Sequence, residues 1–254
     1  MKKYLIDFTI KENNRLSSLY SLLKLSPNGC EMPEIKPGQF VQIEVANSKN
    51  TYLRRPISVN FVDYDKQELW LLVRKAGEGT ASIINMNPGD VLNIMLPLGN
   101  GFSITGNTML LIGGGVGVAP LLYLGKVAKE QGVNVKFLLG ARSESDLLEL
   151  DEFKKYGELF VSTEDGSCGE RGFVTQHSVL KSGDFDFISC CGPAPMMKAV
   201  AAIAKEMAVG CEVSLENVMA CGIGACLCCV EDTTEGHVCV CKEGPVFNIE
   251  KLKW

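Results

Sequence analysis

Histidine is nearly missing from this chain. There are two in 254 residues, His177 and His237, and neither belongs to a His-x-x-His pair or a triad. Histidine-built metal centres and His-activated nucleophiles therefore fall away, and both rings are expected to be structural. Basic residues are few and scattered: 25 against 30 acids, for a net charge of −5, with no Lys/Arg block or stripe. That excludes a nucleic-acid surface. No apolar run reaches membrane-spanning length. Residues 1–10, MKKYLIDFTI, lack the long apolar stretch of a signal peptide and read as a strand; the expected setting is the cytoplasm. G-x-S-x-G, H-E-x-x-H and Walker loops are absent, and no convincing pair of catalytic carboxylates stands out. Such a chain suits chemistry carried by cofactors.

What is abundant is cysteine. Eleven occur, an odd number, and six of them crowd into residues 219–241, MACGIGACLCCVEDTTEGHVCVC. In a reducing compartment this points to metal or redox chemistry, not to a disulfide framework. The apolar fraction of 46% and charged fraction of 22% are ordinary globular values.

Residues 1–103 read as an antiparallel β-barrel or sandwich. YLIDFTI, SLYSLLKLS, GQFVQIEV, PISVNFVDY, ELWLLVRKA and DVLNIMLPL are strand-like runs separated by turn residues. TASIINM, residues 80–86, predicts one or two helical turns. From residue 104 to 209 the pattern alternates strand and helix, as in βαβ units around a parallel sheet. A continuous helix is expected over SDLLELDEFKKYG, residues 145–157. Residues 210–254 open with a short strand, CEVSLE, and continue as a small cysteine module. The expectation is a β-barrel, an α/β nucleotide-binding domain and a metal-bearing appendage.

Cys221, Cys226 and Cys229 have the spacing C-x4-C-x2-C, with Cys239 and Cys241 beyond an intervening loop. This is the spacing of a 2Fe-2S cluster of the plant ferredoxin type, held by four thiolates. The small residues of GIGA let backbone N–H groups approach sulfur. Zinc is the main competitor, but C-x-C is tight for a zinc arm. Spacing sets Cys228 aside and leaves Cys239 and Cys241 both open as fourth ligand.

RRPISV, residues 54–59, with RKAGEGT, residues 74–80, reads as a flavin shelf. Arg55 can meet a phosphate in bidentate fashion, Pro56 fixes the chain, and Ser58 can hydrogen-bond the flavin edge. Gly79 and Thr80 precede a short helix whose amides suit a pyrophosphate. LLIGGGVGVAPLL lies between a strand and a helix, as a dinucleotide loop does. It carries Gly114, Gly115 and Gly117, with Pro120 where a third glycine or alanine would stand. CCGPAPMM, with Cys191, Gly192 and Pro193, makes a second strand-to-helix turn on the same expected sheet edge, where open α/β sheets bind ligands. Cys191 and Gly192 would lie over a nicotinamide. Arg142 and Ser143 follow the second α/β strand, where a 2′-phosphate binds, so NAD and NADP both stay open.

RRPIS, GEGT, GGGVGVAPL, CGPAPMM and C-GIGA-C-x2-C, in this order, resemble the ferredoxin–NADP reductase superfamily. The C-terminal segment looks like that of the dihydroorotate dehydrogenase B electron-transfer subunits, and the resemblance covers nearly the whole chain. It implies FAD, NAD and a 2Fe-2S cluster. Carried over by position, Arg55, Pro56, Ile57, Ser58, Leu72, Val73, Arg74, Gly79 and Thr80 contact FAD. Cys221, Cys226, Cys229 and Cys241 hold the cluster, Cys241 because CKEGPVF matches the family's last ligand. The loop from Cys229 to Cys241 is short for the family. A related flavoprotein subunit of NADH-dependent ferredoxin–NADP oxidoreductases usually has aspartate as the first ligand; Cys221 here favours the dihydroorotate system. The implied activity is an oxidoreductase subunit of pyrimidine biosynthesis that carries electrons from the FMN of a dihydroorotate dehydrogenase catalytic subunit to NAD+, with two copies of each chain. The alternative is an NAD(P)H reductase subunit serving a ferredoxin, an oxygenase or a hydrogenase.

Overall fold

The structure is a computed structural model and describes residues 2–45 and 50–254. Seven antiparallel strands form the first unit: β1 (Tyr4–Arg15), β2 (Tyr20–Pro27), β3 (Phe40–Ile43), β4 (Arg55–Ser58), β5 (Phe61–Asp63), β6 (Glu68–Arg74) and β7 (Val91–Leu98). Their order is β4-β3-β7-β1-β2-β6-β5. The stretch PISVNFVDY, expected as one strand, is two, and they lie at opposite ends of this order. The reason is visible at the break. Val59 N–H bonds Gln39 O at 3.0 Å on one side, and Asn60 N–H bonds Trp70 O at 3.0 Å on the other. One dipeptide thus joins the two edges and curls the sheet into a barrel, leaving few open edge groups. A bulge between Ile10 and Glu12 bends β1 as the curl requires. Phe8, Ile10, Leu23, Leu25, Ile43, Leu71 and Ile94 fill the interior.

The second sheet has the order β11-β10-β9-β8-β12-β13-β16. It comprises β8 (Thr108–Gly114), β9 (Asn134–Ala141), β10 (Glu158–Thr163), β11 (Glu170–Arg171), β12 (Phe187–Cys191) and β13 (Gly210–Ser214), all parallel. β16 (Val246–Asn248) adds antiparallel to β13. Residues 109–112 of β8 are fully buried, as expected of a central strand covered on both faces. The sheet therefore draws two strands from beyond residue 209, and the cysteine segment is an excursion between them. That excursion holds the hairpin β14 (Val230–Thr233) and β15 (Gly236–Cys239).

The helices are α1 (Glu78–Ile84), α2 (Ala119–Glu130), α3 (Leu150–Lys154), α4 (Val179–Ser182), α5 (Ala194–Glu206) and α6 (Val240–Glu243). On α2, a Cβ at Gly125 would run into the Phe137 ring, so this glycine lets the helix lie close on β9. The helix expected over residues 145–157 is only α3. Leu147 is extended (φ −74°, ψ 133°) and Glu149 is left-handed (φ 56°). Glu149 instead turns its carboxyl toward the barrel, where Asn60 Nδ2 donates to it at 3.0 Å. A tertiary contact outweighs local helix propensity here.

Candidate functional site

The barrel meets the α/β unit at the turn after β8, where Asn60 Nδ2 donates to Ala119 O at 3.2 Å and Tyr123 N–H donates to Asn60 O at 3.1 Å. On the barrel side, Arg54 is a brace. It donates to Glu44 Oε2 at 2.8 Å, Asn93 Oδ1 at 2.6 Å and Asn93 O at 3.0 Å. Arg55 differs: its guanidinium donates only to the carbonyls of Leu53 and Arg54, at 3.1 and 3.3 Å, and pairs with no carboxylate among the described residues. It lies against α1, where a Cβ on Gly79 would fall 2.7 Å from Arg55 Nε. A cation with unspent charge beside a bare glycine backbone fits a phosphate. Gly79 and Thr80 are the second and third residues of α1, not residues ahead of it. Thr80 Oγ1 accepts from the N–H groups of Ala76 at 2.8 Å and Gly77 at 3.1 Å, fixing the turn. Pro56, Ile57 and Ser58 line β4, half-buried, and the Ser58 hydroxyl is unspent among the described residues. Leu72 and Val73 lie on opposite faces of β6 and both side chains are buried, which leaves only their backbone for a ligand, while Arg74 is exposed at the end of β6.

On the sheet side the two glycine turns pack on each other. A Cβ on Gly117 would stand 2.5 Å from Cys191 O and 2.6 Å from Gly192 Cα, and one on Gly192 would meet Met196 Cε at 2.6 Å. Gly114 likewise has no room beside Met196 and Pro193. Gly115 is the opposite case: φ is +56° and the space beside it is open, as a backbone cradle for a ligand requires. Pro120 sits in the first turn of α2, where its missing N–H costs nothing.

Cys191 closes β12 with its thiol buried, and burial pushes its pKa well above the usual range, so it stays a neutral thiol. Its Sγ is 4.0 Å from Glu216 Oε1. Burial also raises the pKa of Glu216, opposed by the positive charge of Arg74 from the barrel. Cys191 and Glu216 thus bring two segments of the sheet together, with Arg74 of the barrel near enough for its charge to reach Glu216. Sequence reasoning missed Glu216. The available signal was an acid placed just past a parallel strand, at the ligand-binding edge of the sheet.

The cysteine segment places its sulfurs as two pairs. Cys226 lies against Cys221, and Cys229 against Cys241. Backbone N–H groups converge on them: Ile223 and Ala225 on Cys221 Sγ at 3.4 and 3.3 Å, Gly224 on Cys241 Sγ at 3.1 Å, and Cys241 N–H on Cys229 Sγ at 3.4 Å. Burial works to raise the Cys221 thiol, but the amides of Ile223, Cys226 and Ala225 outweigh it and bring the pKa down to about 6. Burial and the neighbouring Cys229 push Cys241 up to about 12. Among the described residues no three His, Cys, Asp or Glu side chains converge on a single metal ion. Two thiolates on each of two irons is the demand of a two-iron cluster, and the paired sulfurs with their N–H donors fit it. Cys228 is exposed, and Cys239 ends β15, its N–H donating to Glu243 Oε2 at 3.1 Å.

Neither histidine enters the site. His177 is buried with Nδ1 accepting from Val179 N–H at 3.1 Å, and His237 is exposed on the hairpin. At the far end of the sheet edge, the Ser143 hydroxyl is engaged with Asp146 Oδ2 at 3.1 Å, and Arg142 O accepts from Asp165 N–H at 3.2 Å.

Comparison with known proteins agrees with this layout. Residues 216–253 match the family model described as the iron-sulfur cluster binding domain of dihydroorotate dehydrogenase B, and residues 111–202 match an oxidoreductase NAD-binding domain. The chain is 43% identical over 221 residues to a dihydroorotate dehydrogenase B (NAD(+)) electron transfer subunit of Caldanaerobacter subterraneus, covering 85% of this chain and 86% of that one. It is 38% identical over 254 residues to the corresponding Fusobacterium nucleatum subunit, covering 95% of each. Among solved structures, a chain of the NADH-dependent reduced ferredoxin-NADP oxidoreductase superposes with a TM-score of 0.86 at 30% identity, over 97% of this chain and 90% of that one. The FAD/NAD-binding domain of a Vibrio cholerae nitric oxide dioxygenase shares the fold, with a TM-score of 0.71 at 20% identity over 82% of this chain and 98% of that one.

Proposed function

The chain belongs to the electron transfer subunits of NAD(+)-dependent dihydroorotate dehydrogenase B, and from that footing we propose how its residues divide the work. It is an oxidoreductase subunit with FAD, NAD and a 2Fe-2S cluster as its cofactors, and it works with a catalytic partner subunit. When bound, FAD exchanges a hydride with the nicotinamide and exchanges single electrons with the cluster.

Arg55 neutralises the flavin phosphates beside Gly79 and Thr80. Pro56, Ile57 and Ser58, with the backbone of Leu72, Val73 and Arg74, hold the ring system. Gly114, Gly115, Gly117 and Pro120 carry the dinucleotide, and Cys191, Gly192 and Pro193 seat the nicotinamide. The neutral Cys191 thiol offers an apolar, polarisable surface that keeps water from the reacting face. Glu216, beside the Cys191 thiol, positions it. NAD fits the adenosine end better than NADP, because the Ser143 hydroxyl is already taken by Asp146 and Glu144 and Asp165 stand close by. A 2′-phosphate would meet carboxylates there.

Cys221, Cys226, Cys229 and Cys241 are the proposed cluster ligands. The observation that carries this reading is the convergence of backbone N–H groups on the sulfurs of Cys221, Cys229 and Cys241, in a loop packed on Gln42 of the flavin barrel. The partner is proposed to carry FMN and to assemble as two copies of each chain. Around the cysteine loop Val218, Ile223 and Leu227 are 79%, 41% and 65% exposed. An apolar rim of that kind suits burial against a partner, with the cluster within electron-transfer reach of its flavin. Among the described residues no helix is long and apolar enough to cross a membrane. All eleven cysteines are free of disulfides, as is ordinary in the cytoplasm, the setting proposed here.

The test uses purified chains. Alone, this one should reduce an artificial acceptor with NADH and leave dihydroorotate untouched. Added to an FMN-bearing dihydroorotate dehydrogenase subunit, it should produce orotate with NAD+, and a Cys226→Ser variant should not. Orotate formation by the isolated chain refutes this division of labour. Failure with every such partner hands the chain to the reductase alternative.

A further inference from the structure

Gln42 is fully buried, and neither its Nε2 nor its Oε1 has a hydrogen-bond partner among the described residues. Buried carboxamides are almost always satisfied, because leaving one unmet forfeits its hydration for nothing. The position of this one is informative. Gln42 lies on β3, directly opposite Pro56 of the flavin shelf on β4. Arg54 Nη1 holds its carbonyl at 3.3 Å. Its side chain runs the other way, into the cysteine segment. A Cβ on Gly222 would fall 2.8 Å from both Cγ and Nε2 of Gln42. Gly222 has φ +70° and follows Cys221 directly, so the loop has a glycine where the carboxamide presses on it. The next three N–H groups of that loop, those of Ile223, Gly224 and Ala225, already point at the sulfurs of Cys221 and Cys241.

We propose that the Gln42 carboxamide is an outer hydrogen-bond donor to the iron–sulfur cluster, its Nε2–H directed at sulfur beside Cys221, and that it tunes the cluster from the flavin barrel. This rests on the cluster reading given above. The physical consequence is a matter of charge. A cluster gains negative charge on reduction, and a hydrogen bond to its sulfur stabilises the more negative state. Gln42 thereby raises the cluster's reduction potential. Because its backbone is part of the strand pair that bears the flavin shelf, it also fixes the cysteine loop against that shelf. Gln42 is a positioning and tuning residue, not a catalytic one.

The experiment is an EPR-monitored redox titration of the FAD- and cluster-loaded chain. Q42L keeps the shape and removes the donor; it should retain full iron and lower the cluster midpoint potential, with a smaller effect on FAD. Q42E replaces the donor by an acceptor and should lower the potential further or lose the cluster. In wild-type protein grown with 15N-labelled glutamine, pulsed EPR of the reduced cluster should detect a weak 15N coupling that Q42L removes. A Q42L cluster with full iron and an unchanged midpoint overturns the proposal. So does a wild-type spectrum without that coupling, which needs no variant to fold. Wild-type protein that binds no two-iron cluster at all would instead bring down the reading on which the proposal rests.

Discussion

Asn60 Nδ2 donates to Glu149 Oε2 at 3.0 Å, across the joint between the barrel and the α/β unit. The same Asn60 side chain also donates to Ala119 O at 3.2 Å, and the Asn60 backbone carbonyl accepts from Tyr123 N–H at 3.1 Å, so one residue ties the flavin shelf to the start of α2. The oxygen of the Asn60 side chain, Oδ1, and the second carboxyl oxygen of Glu149, Oε1, are buried without a partner. A protonated carboxyl would have a donor to offer there, and a carboxylate has none.

Burial raises the Glu149 pKa from 4.5 to about 7, opposed by the Asn60 bond and reinforced by the charge of Glu152. A raised carboxyl pKa means that folding takes up a proton. The stabilisation is complete below pH ~4.5 and is lost as pH rises through about 7. Glu149→Gln should therefore match wild type near pH 4 and exceed it at pH 8 by up to about 3 kcal/mol. Urea unfolding at the two pH values measures this; equal differences at both would contradict it.

Serine at Cys221, Cys226, Cys229 or Cys241 should abolish the iron and sulfide that anaerobically purified protein is expected to hold, about two of each per chain. Serine at Cys228 should leave them in place. Iron analysis of the Cys239→Ser and Cys241→Ser pair decides the fourth ligand: loss at Cys239 with retention at Cys241 would reverse the assignment.

Arg55→Ala removes the one guanidinium of the RRPIS stretch that is not occupied by a carboxylate. FAD retention should weaken by roughly 1.5–3 kcal/mol, the worth of a charge-assisted hydrogen bond, read as FAD lost on dialysis and a weaker Kd on titration. Arg54→Ala should act differently, lowering stability by loosening β3 from β7.

Glu216→Gln keeps the size of the side chain beside Cys191 and removes its charge. FAD reduction by NADH in stopped-flow mixing should slow by about tenfold, ~1.4 kcal/mol in barrier, with FAD content unchanged. An unaltered rate would assign Glu216 to packing alone.

Gly117→Ala places a methyl where Cys191 O stands 2.5 Å away. The two turns must separate, at a cost of roughly 1–3 kcal/mol in stability, and the KM for NADH should rise. Gly115→Ala meets no such neighbour and pays only for its positive φ.

Local order was legible in the residues. β8 announces itself as an apolar run because both its faces are covered, and the glycine turns and the C-x4-C-x2-C loop carry their geometry in their spacing. What failed were two local patterns with distant partners: PISVNFVDY, which parts into two strands, and residues 145–157, where Glu149 breaks the helix. In both, Asn60 is the cause, through a bond to Trp70 O at 3.0 Å and one to Glu149 at 3.0 Å. Sequence alone determined the order of the units, the candidate ligand-binding turns and the thiols available to a cluster, because each depends on residues within one turn or one strand. Only the tertiary structure decided that Glu216 meets Cys191, that Cys241 meets Cys229, and that Gln42 reaches Gly222. These residues are brought together by strand pairing and by the docking of barrel on sheet, and the energy of such contacts resides in burial shared between segments far apart in the chain.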